Sequence, residues 1–522
     1  LNEPFAGIFG EKESIQFTNG TYELGSDQSV LVTANPSRNA VPMLRSEFSI
    51  SKKPTKARLY VTARGIYEMY LNGQRVGEDY FNPGLTQYNK TQMYQTYDVT
   101  DQIQSGENAI GTMLSEGWWS GNITYRGYNW NYFGDRQSVL AKLVLTYDDG
   151  STETVVTNPK TWKHNNDGPI RYSSFFQGEL YDARKESAID GWATISFDDT
   201  SWKPAVEVPL DKTTAFITDD FNYDDQQLIG QIGENAGIVK TLTAQSVEEV
   251  RPGVFVYDMG QNMVGVPQIN ISGSEGDTIT MRYAEVKYPD LPEHEGYVGM
   301  IMMENIRGAR ATDRWILSGG EDLIQPRFTF HGYRFIEITG VENALPVSSV
   351  KGLIISSIDE LASSYLTSNS LVNKLWENIT WSFRANFLSI PTDTPARNER
   401  MGWNGDINVF SKTATFLGHV EPFLRRHLLA NRELQEAIGR FPDIAPIGTG
   451  FGGALWGSAA VIIPWEMYEQ YNDLRVLEEH YDAMKAYVDF LKTRENEEGI
   501  IHEGPLGDWL SPEGYKNDNS LI

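Results

Sequence analysis

Residues 393–406 read Asp-Thr-Pro-Ala-Arg-Asn-Glu-Arg-Met-Gly-Trp-Asn-Gly-Asp, placing three carboxylates, two arginines and a tryptophan in fourteen positions. Cleaving a glycosidic bond needs a carboxylic acid to protonate the leaving oxygen, a carboxylate to activate water or attack carbon, and polar groups to grip the ring hydroxyls. Asp393, Glu399 and Asp406 are the candidates. Glu399 is preferred as the acid because burial and neighbouring charge can move its pKa, while Asp393, Asp406 and Arg397 suit ring hydroxyls. Trp403 offers an apolar platform for the C–H face of a sugar. The competing reading is a solvated loop with a structural ion pair, in which Trp403 is a core anchor. Pro391, Pro395, Gly402 and Gly405 favour a shaped connection between two helices, on which side chains converge.

The elements that would carry this segment follow from changes of period. From 45 to 205, runs rich in β-branched and aromatic residues, such as 56–63, 67–71 and 139–147, are separated by Asn, Gly and Asp; the Asn72-Gly73 pair is a hairpin signal. This block is expected to be an antiparallel β-sandwich of carbohydrate-binding type, with residues 1–44 an N-terminal extension packed on the β domains. A second β-sandwich is expected over 206–361, with strands near 253–259, 266–271, 278–284 and 335–339 and a surface loop at 290–296. At Ser368 or Asn369 a helix N-cap precedes Leu371, Leu375, Ile379 and Phe383 at helical spacing. Further helices are expected over 406–417, 421–438, 456–470 and 473–492. Residues 362–522 thus form stacked helical hairpins. A closed ring of six hairpins needs more than about 200 residues, so this domain is expected to be incomplete at its C-terminal side.

Composition narrows the partners. With 44 basic and 70 acidic residues the formal charge is −26, which disfavours nucleic acid and anionic lipid. No cysteine is present, and the seven histidines show no metal-binding spacing, so no metal or other cofactor is expected. No apolar run reaches the ~20 residues of a membrane span. The chain starts at Leu1 without a basic and apolar leader, so any export signal is expected to be already removed or never present. Oligomeric state is left open.

The loop 393–406 resembles the catalytic signature of bacterial α-L-rhamnosidases, glycoside hydrolase family 78, matching it at Asp393, Pro395, Arg397, Glu399, Arg400, Gly402, Trp403, Gly405 and Asp406. Ala396 stands where the family pattern has Gln, and Asn398 where it has Asp. Leu71-Asn72-Gly73, Asn82-Pro83-Gly84, residues 178–184, residues 258–262 and residues 330–334 resemble further family segments in the same order. The resemblance implies β-sandwich domains ahead of an (α/α)6 barrel, and inverting hydrolysis of terminal α-L-rhamnose from glycosides or polysaccharides. It makes Glu399 the general acid and Asp393, Arg397, Trp403 and Asp406 the rhamnose subsite. Trp456 and the Asp508-Trp509 pair resemble segments lining the same cavity, with Ser458 replacing a family aspartate. The general base is implied to be a glutamate beyond Ile522, so the chain as given is expected to be of low activity. A bacterial, periplasmic or extracellular setting fits such a substrate, with the cytoplasm not excluded.

Two alternatives stay open: an (α/α)6 glycosidase whose sugar differs because of Ala396, Asn398 and Ser458, and a noncatalytic carbohydrate-binding protein. Two further segments invite other readings. The glycine run at 448–453 fits bare dinucleotide-binding spacing but lacks a βαβ setting, and is read as a loop near the sugar site. The aromatic concentration at 118–136, including Trp130 and Tyr132, is read as interdomain packing in preference to a carbohydrate contact.

Overall fold

The computed structural model describes residues 40–123, 131–209, 223–448, 450–502, 504 and 506–507. Period-two alternation builds the first unit. In Lys56–Arg64, Ala57, Leu59, Val61 and Ala63 are buried against Tyr67, Met69 and Leu71 of the facing sheet. One sheet has six strands in the order Lys203–Pro204, Lys163–Asn165, Met43–Ile50, Gly106–Ser115, Ile66–Leu71, Gln74–Val76. The other has five, in the order Gln227–Gly230, Thr91–Asp98, Lys56–Arg64, Ser138–Thr146, Thr152–Val156. Asn72 and Gly73 both have positive φ, 49° and 83°, the backbone that a two-residue hairpin between twisted strands requires.

The second β unit is one continuous ten-stranded sheet. Its spine is Val254–Ser272, flanked by His331–Thr339, Val350–Ser356, Ser246–Arg251 and Glu321–Ile324. The sequence pattern gives two strands within this spine, near 253–259 and 266–271. The chain instead passes straight through, because Gly260 (φ 75°) and its neighbours form a bulge that shifts the register between Asp258 and Met263.

Strand pairing crosses the boundaries expected at 44/45 and 205/206. Strand Met43–Ile50 begins before the first boundary, and residues 1–39 lie outside the described residues. Ile170–Ser174 and Gly178–Asp182 fall inside the first block but hydrogen-bond into the second sheet, while Gln227–Gly230 falls in the second block and joins the first sandwich. Both crossings pair in parallel, Gly178–Asp182 with Thr312–Ile316 and Gln227–Gly230 with Thr91–Asp98, so the blocks are not purely antiparallel. A strand arriving from a distant segment adds to an edge in either direction, and local alternation carries no sign of which edge.

The helical region holds Ser370–Asn386, Asn404–Leu417, Glu421–Glu433, Ala459–Tyr471 and Leu474–Lys492, with a short turn at Ala454–Gly457. Asn369 is the N-cap of the first, its Oδ1 accepting from the N–H groups of Leu371 and Val372. The apolar stripe on that helix is used only at its C-terminal end. Phe383 is buried against Phe387 and Phe410, whereas Leu371 and Leu375 are 79% and 59% exposed, with no neighbour covering them among the described residues.

What holds the β units and helices together is an aromatic hub. Phe81, Trp118, Phe175 and Phe330 come from separate segments of both β units, with ring centroids 4.6–6.5 Å apart. Trp118 and Trp119 are buried, and the Tyr132 hydroxyl donates to the Ile447 carbonyl at 3.3 Å, in line with interdomain packing for this aromatic-rich stretch. Trp130 lies outside the described residues.

Beside the hub, Glu179 is fully buried and accepts from the backbone N–H groups of Arg327 and Phe328. Burial pushes its carboxyl up to about 8, outweighing those two hydrogen bonds. A carboxyl whose folded pKa is raised stabilises least when ionised, so its contribution falls as pH rises from its unfolded value towards about 8. Glu179→Gln removes this dependence. Thermal melts should show the variant gaining on the wild type between about pH 5 and 8, and a gap independent of pH would contradict the assignment.

Candidate active site

The loop 393–406 leaves the helix Ser370–Asn386 through a two-strand turn, Phe387–Leu388 with Ile390–Pro391, and ends at the helix Asn404–Leu417. Its neck is closed by a reciprocal pair: Asp393 N–H donates to the Met401 carbonyl at 3.0 Å, and Met401 N–H donates to Asp393 Oδ1 at 2.9 Å. The start of the following helix is fixed from below. Asn404 Nδ2 donates to Asn431 Oδ1 and to the Pro442 carbonyl, both at 2.7 Å, and Asn404 Oδ1 faces His427 Nε2 at 2.8 Å. Burial, with Arg426 adjoining, pushes the His427 imidazole down to about 3, so it is neutral and donates through Nε2.

Arg400 pins the loop to the β units. It is 3% exposed, its φ is 56°, and Nη1 donates to the carbonyls of Phe175 and Phe330, each at 2.8 Å. Nη2 donates to the Ala396 carbonyl at 2.9 Å, and the guanidinium lies over the rings of Phe330 and Phe176, at 4.5 and 5.0 Å. Burial lowers its pKa to about 9, which leaves it charged at neutral pH.

Ahead of this clamp, the charged groups of the loop gather around Glu399. Glu399 is 6% exposed; its Oε1 accepts from Trp403 Nε1 at 3.0 Å and its Oε2 from Arg397 Nη2 at 2.9 Å. Arg397 Nη2 also meets Asp393 Oδ2 at 3.2 Å, so one guanidinium joins two carboxyls. Burial and then the charge of Glu399 push Asp393 up to about 7. Asp406 stands at the mouth in the first turn of its helix, open to solvent; desolvation by the surrounding protein and the Glu399 charge still raise its pKa. Behind Glu399 the wall is apolar, formed by Trp118, Phe175, Phe330, Leu388 and Met401.

The sequence candidates therefore converge in part. Asp393, Arg397, Glu399 and Trp403 are joined directly by ion pairs and a hydrogen bond, and Asp406 lies within electrostatic reach of Glu399. Trp403 is tied to Glu399 through its indole N–H, a contact beyond that of an apolar platform. Trp456 is 6% exposed and lies so close to Gly405 that a Cβ there would come within 2.6 Å of its ring; its Nε1 has no hydrogen-bond partner among the described residues. Asp508 and Trp509 lie outside the described residues. Ala396 and Asn398 are buried: Ala396 packs on Gly332, where a Cβ would come within 3.0 Å of its backbone, and Asn398 packs on Gly308.

Two groups were missed by sequence reasoning. Arg307, on the loop between Thr278–Ala284 and Thr312–Ile316, donates from Nη1 to Glu399 Oε2 at 3.2 Å. Asp443 accepts from the Gly452 N–H at 2.7 Å and so holds the glycine run, and burial pushes its carboxyl up to about 6. No local pattern marks either residue. Among the described residues no cluster of three metal-ligating side chains is present, and no helix is long and apolar enough to cross a membrane.

Family comparisons match this architecture along the chain. Residues 52–220 match the α-L-rhamnosidase N-terminal domain, 248–356 the bacterial α-L-rhamnosidase concanavalin-like domain, and 360–522 the bacterial α-L-rhamnosidase 6 hairpin glycosidase domain. The chain belongs to the bacterial α-L-rhamnosidase family. An α-L-rhamnosidase from Streptomyces avermitilis is 40% identical over 91% of this chain and 44% of its own length, and one from Formosa agariphila is 35% identical over 91% and 49%. The crystal structure of the S. avermitilis α-L-rhamnosidase complexed with L-rhamnose superposes with a TM-score of 0.81, covering 91% of this chain and 44% of that one. The Dictyoglomus thermophilum α-L-rhamnosidase, 35% identical, also gives 0.81, covering 91% and 50%. The chain spans about half the length of the curated relatives it matches.

The loop's dependence on Arg400 is directly testable. Arg400→Met leaves the carbonyls of Phe175, Phe330 and Ala396 without their donor, and should cost about 3 kcal/mol in denaturant unfolding. An unfolding profile superimposable on the wild type would show that the loop does not depend on this clamp.

Proposed function

We propose that the protein containing this chain is a glycoside hydrolase that removes terminal α-L-rhamnose from glycosides or polysaccharides by inverting acid/base hydrolysis. The observation that carries this reading is the setting of Glu399: a nearly buried carboxyl, oriented by Trp403 and Arg397 and flanked by Asp393 and Asp406 in one cleft. Family membership and the L-rhamnose complex of the S. avermitilis relative support the choice of sugar.

In this reading Glu399 delivers its proton to the glycosidic oxygen as the bond to the anomeric carbon breaks. Asp393, Arg397 and Asp406 hold ring hydroxyls, and Trp403 with Trp456 supplies apolar wall. Asp393, carrying a proton up to about pH 7, can donate as well as accept towards a hydroxyl. Inversion requires a second carboxylate ~6.5–9.5 Å from the acid, with the attacking water between them. In this reading that base is supplied from outside the described residues. The steps as written use no cofactor, and the substrate class suits a periplasmic or extracellular site of action.

Glu399→Gln in the protein carrying the whole barrel should lower kcat on an aryl α-L-rhamnoside by about 10²–10⁴ while L-rhamnose still binds. Isothermal titration alongside initial rates separates the two effects. Wild-type turnover in the variant would overturn the assignment of the acid.

A further inference from the structure

The loop carrying Arg307 belongs to the β-sheet unit, yet its guanidinium ends on the candidate acid of the helical domain, 92 positions later in the chain. Ile306, Ala309 and Ala311 are buried and anchor it, and the Ala311 and Thr312 N–H groups donate to the carbonyls of Phe176 and Gln177. Arg307 itself stands proud, with its side chain 49% exposed, while the Glu399 side chain it touches is 7% exposed. Its backbone has φ 54° and ψ −120°, a region that glycine enters freely and other residues only at a cost. Gly308 comes next, pressed so closely on Asn398 that a Cβ there would lie 2.9 Å from its amide nitrogen. A strained arginine where glycine would be relaxed, pointed at the acid, is a feature that packing alone does not ask for.

Glu399 Oε1 accepts from Trp403, and Oε2 accepts from both Arg397 and Arg307. Charged groups face it from every side: Arg397, Asp393 and Asp406 from its own loop and the helix after it, and Arg307 from the sheet, with Arg400 behind Asp393. Each carboxylate oxygen offers two lone pairs, so Oε2 is filled by its two cationic donors, whereas Oε1, with the Trp403 N–H alone, keeps a site for the proton that a general acid must carry. Arg397 is committed to two carboxyls and Trp403 is built into the start of a helix, whereas Arg307 makes the longest of the three contacts and is half in solvent.

We propose that Arg307 is a positioning residue for Glu399: from the sheet side it holds Oε2 together with Arg397, and so leaves Oε1 to bear the transferable proton. This inference rests on the reading of Glu399 as the general acid. It makes the β-sheet unit a contributor to the chemistry as well as a support.

The test uses Arg307→Gly, which removes the guanidinium and relieves the backbone, and Arg307→Lys, which keeps the charge without the fork, both in the protein carrying the whole barrel. Arg307→Gly should melt no lower than wild type. Its kcat on an aryl α-L-rhamnoside should fall about tenfold with little change in KM, and the alkaline limb of kcat/KM should move up by about 0.5–1 pH unit, the modest size set by exposure of the pair. Arg307→Lys should return the limb most of the way. Infrared titration of the Glu399 carboxyl band, identified with Glu399→Gln, should show the same upward movement without any substrate. An unmoved alkaline limb with unchanged kcat, or a loss of kcat that only tracks a lower melting temperature, overturns the proposal. A wild-type protein inert on rhamnosides overturns the functional reading, and the infrared titration still decides Arg307.

Discussion

The arrangement depends on a single guanidinium shared by two carboxyls. Arg397 bridges Asp393 and Glu399, and without it two like charges would face each other across a nearly buried cleft. Holding that bridge requires a loop of fixed shape. The Asp393–Met401 pair closes the neck and Arg400 fastens the back to carbonyls of the β units. Positive φ at Arg400 lets adjacent residues point opposite ways, Glu399 to the cleft and Arg400 to the hub. The chemistry and the interdomain packing are thus two faces of one short segment.

This coupling explains why the aromatic hub is built as it is. Phe175 and Phe330 supply both carbonyls to Arg400 and ring faces to the cluster, and the same rings wall the cleft behind Glu399. Gly332, beside Phe330, allows the strand to approach the Ala396 backbone. The substitutions at 396 and 398 relative to the family pattern are buried against Gly332 and Gly308, so they bear on how the loop docks. Ser458 differs in kind: it lies between the turn that carries Trp456 and the helix Ala459–Tyr471, its N–H donating to the Ala454 carbonyl at 2.9 Å.

Much of the site was legible because its groups are adjacent in sequence. Residues 393–406 show their carboxylates, arginines and tryptophan together, and the N-cap at Asn369 and the hairpin at Asn72-Gly73 are equally local signals. What was not legible depends on long-range pairing. The register that brings Arg307 to Glu399 is set by Thr278–Ala284 and Thr312–Ile316 within a ten-stranded sheet, and no spacing in the sequence reports it. The crossing strands at 170–182 and 227–230 blurred the domain boundaries for the same reason. Helical period placed Leu371 and Leu375 on one face with Phe383, but period alone does not say which part of a stripe finds a neighbour.

A crystal structure with L-rhamnose bound decides whether the loop between Asp393 and Asp406 is the sugar site and whether Glu399 addresses the anomeric carbon. One ring is expected beside this loop, its hydroxyls on Asp393, Arg397 and Asp406 and its C1 hydroxyl turned to Glu399. Rhamnose seated elsewhere, or beside this loop with C1 turned away from Glu399, would contradict this assignment.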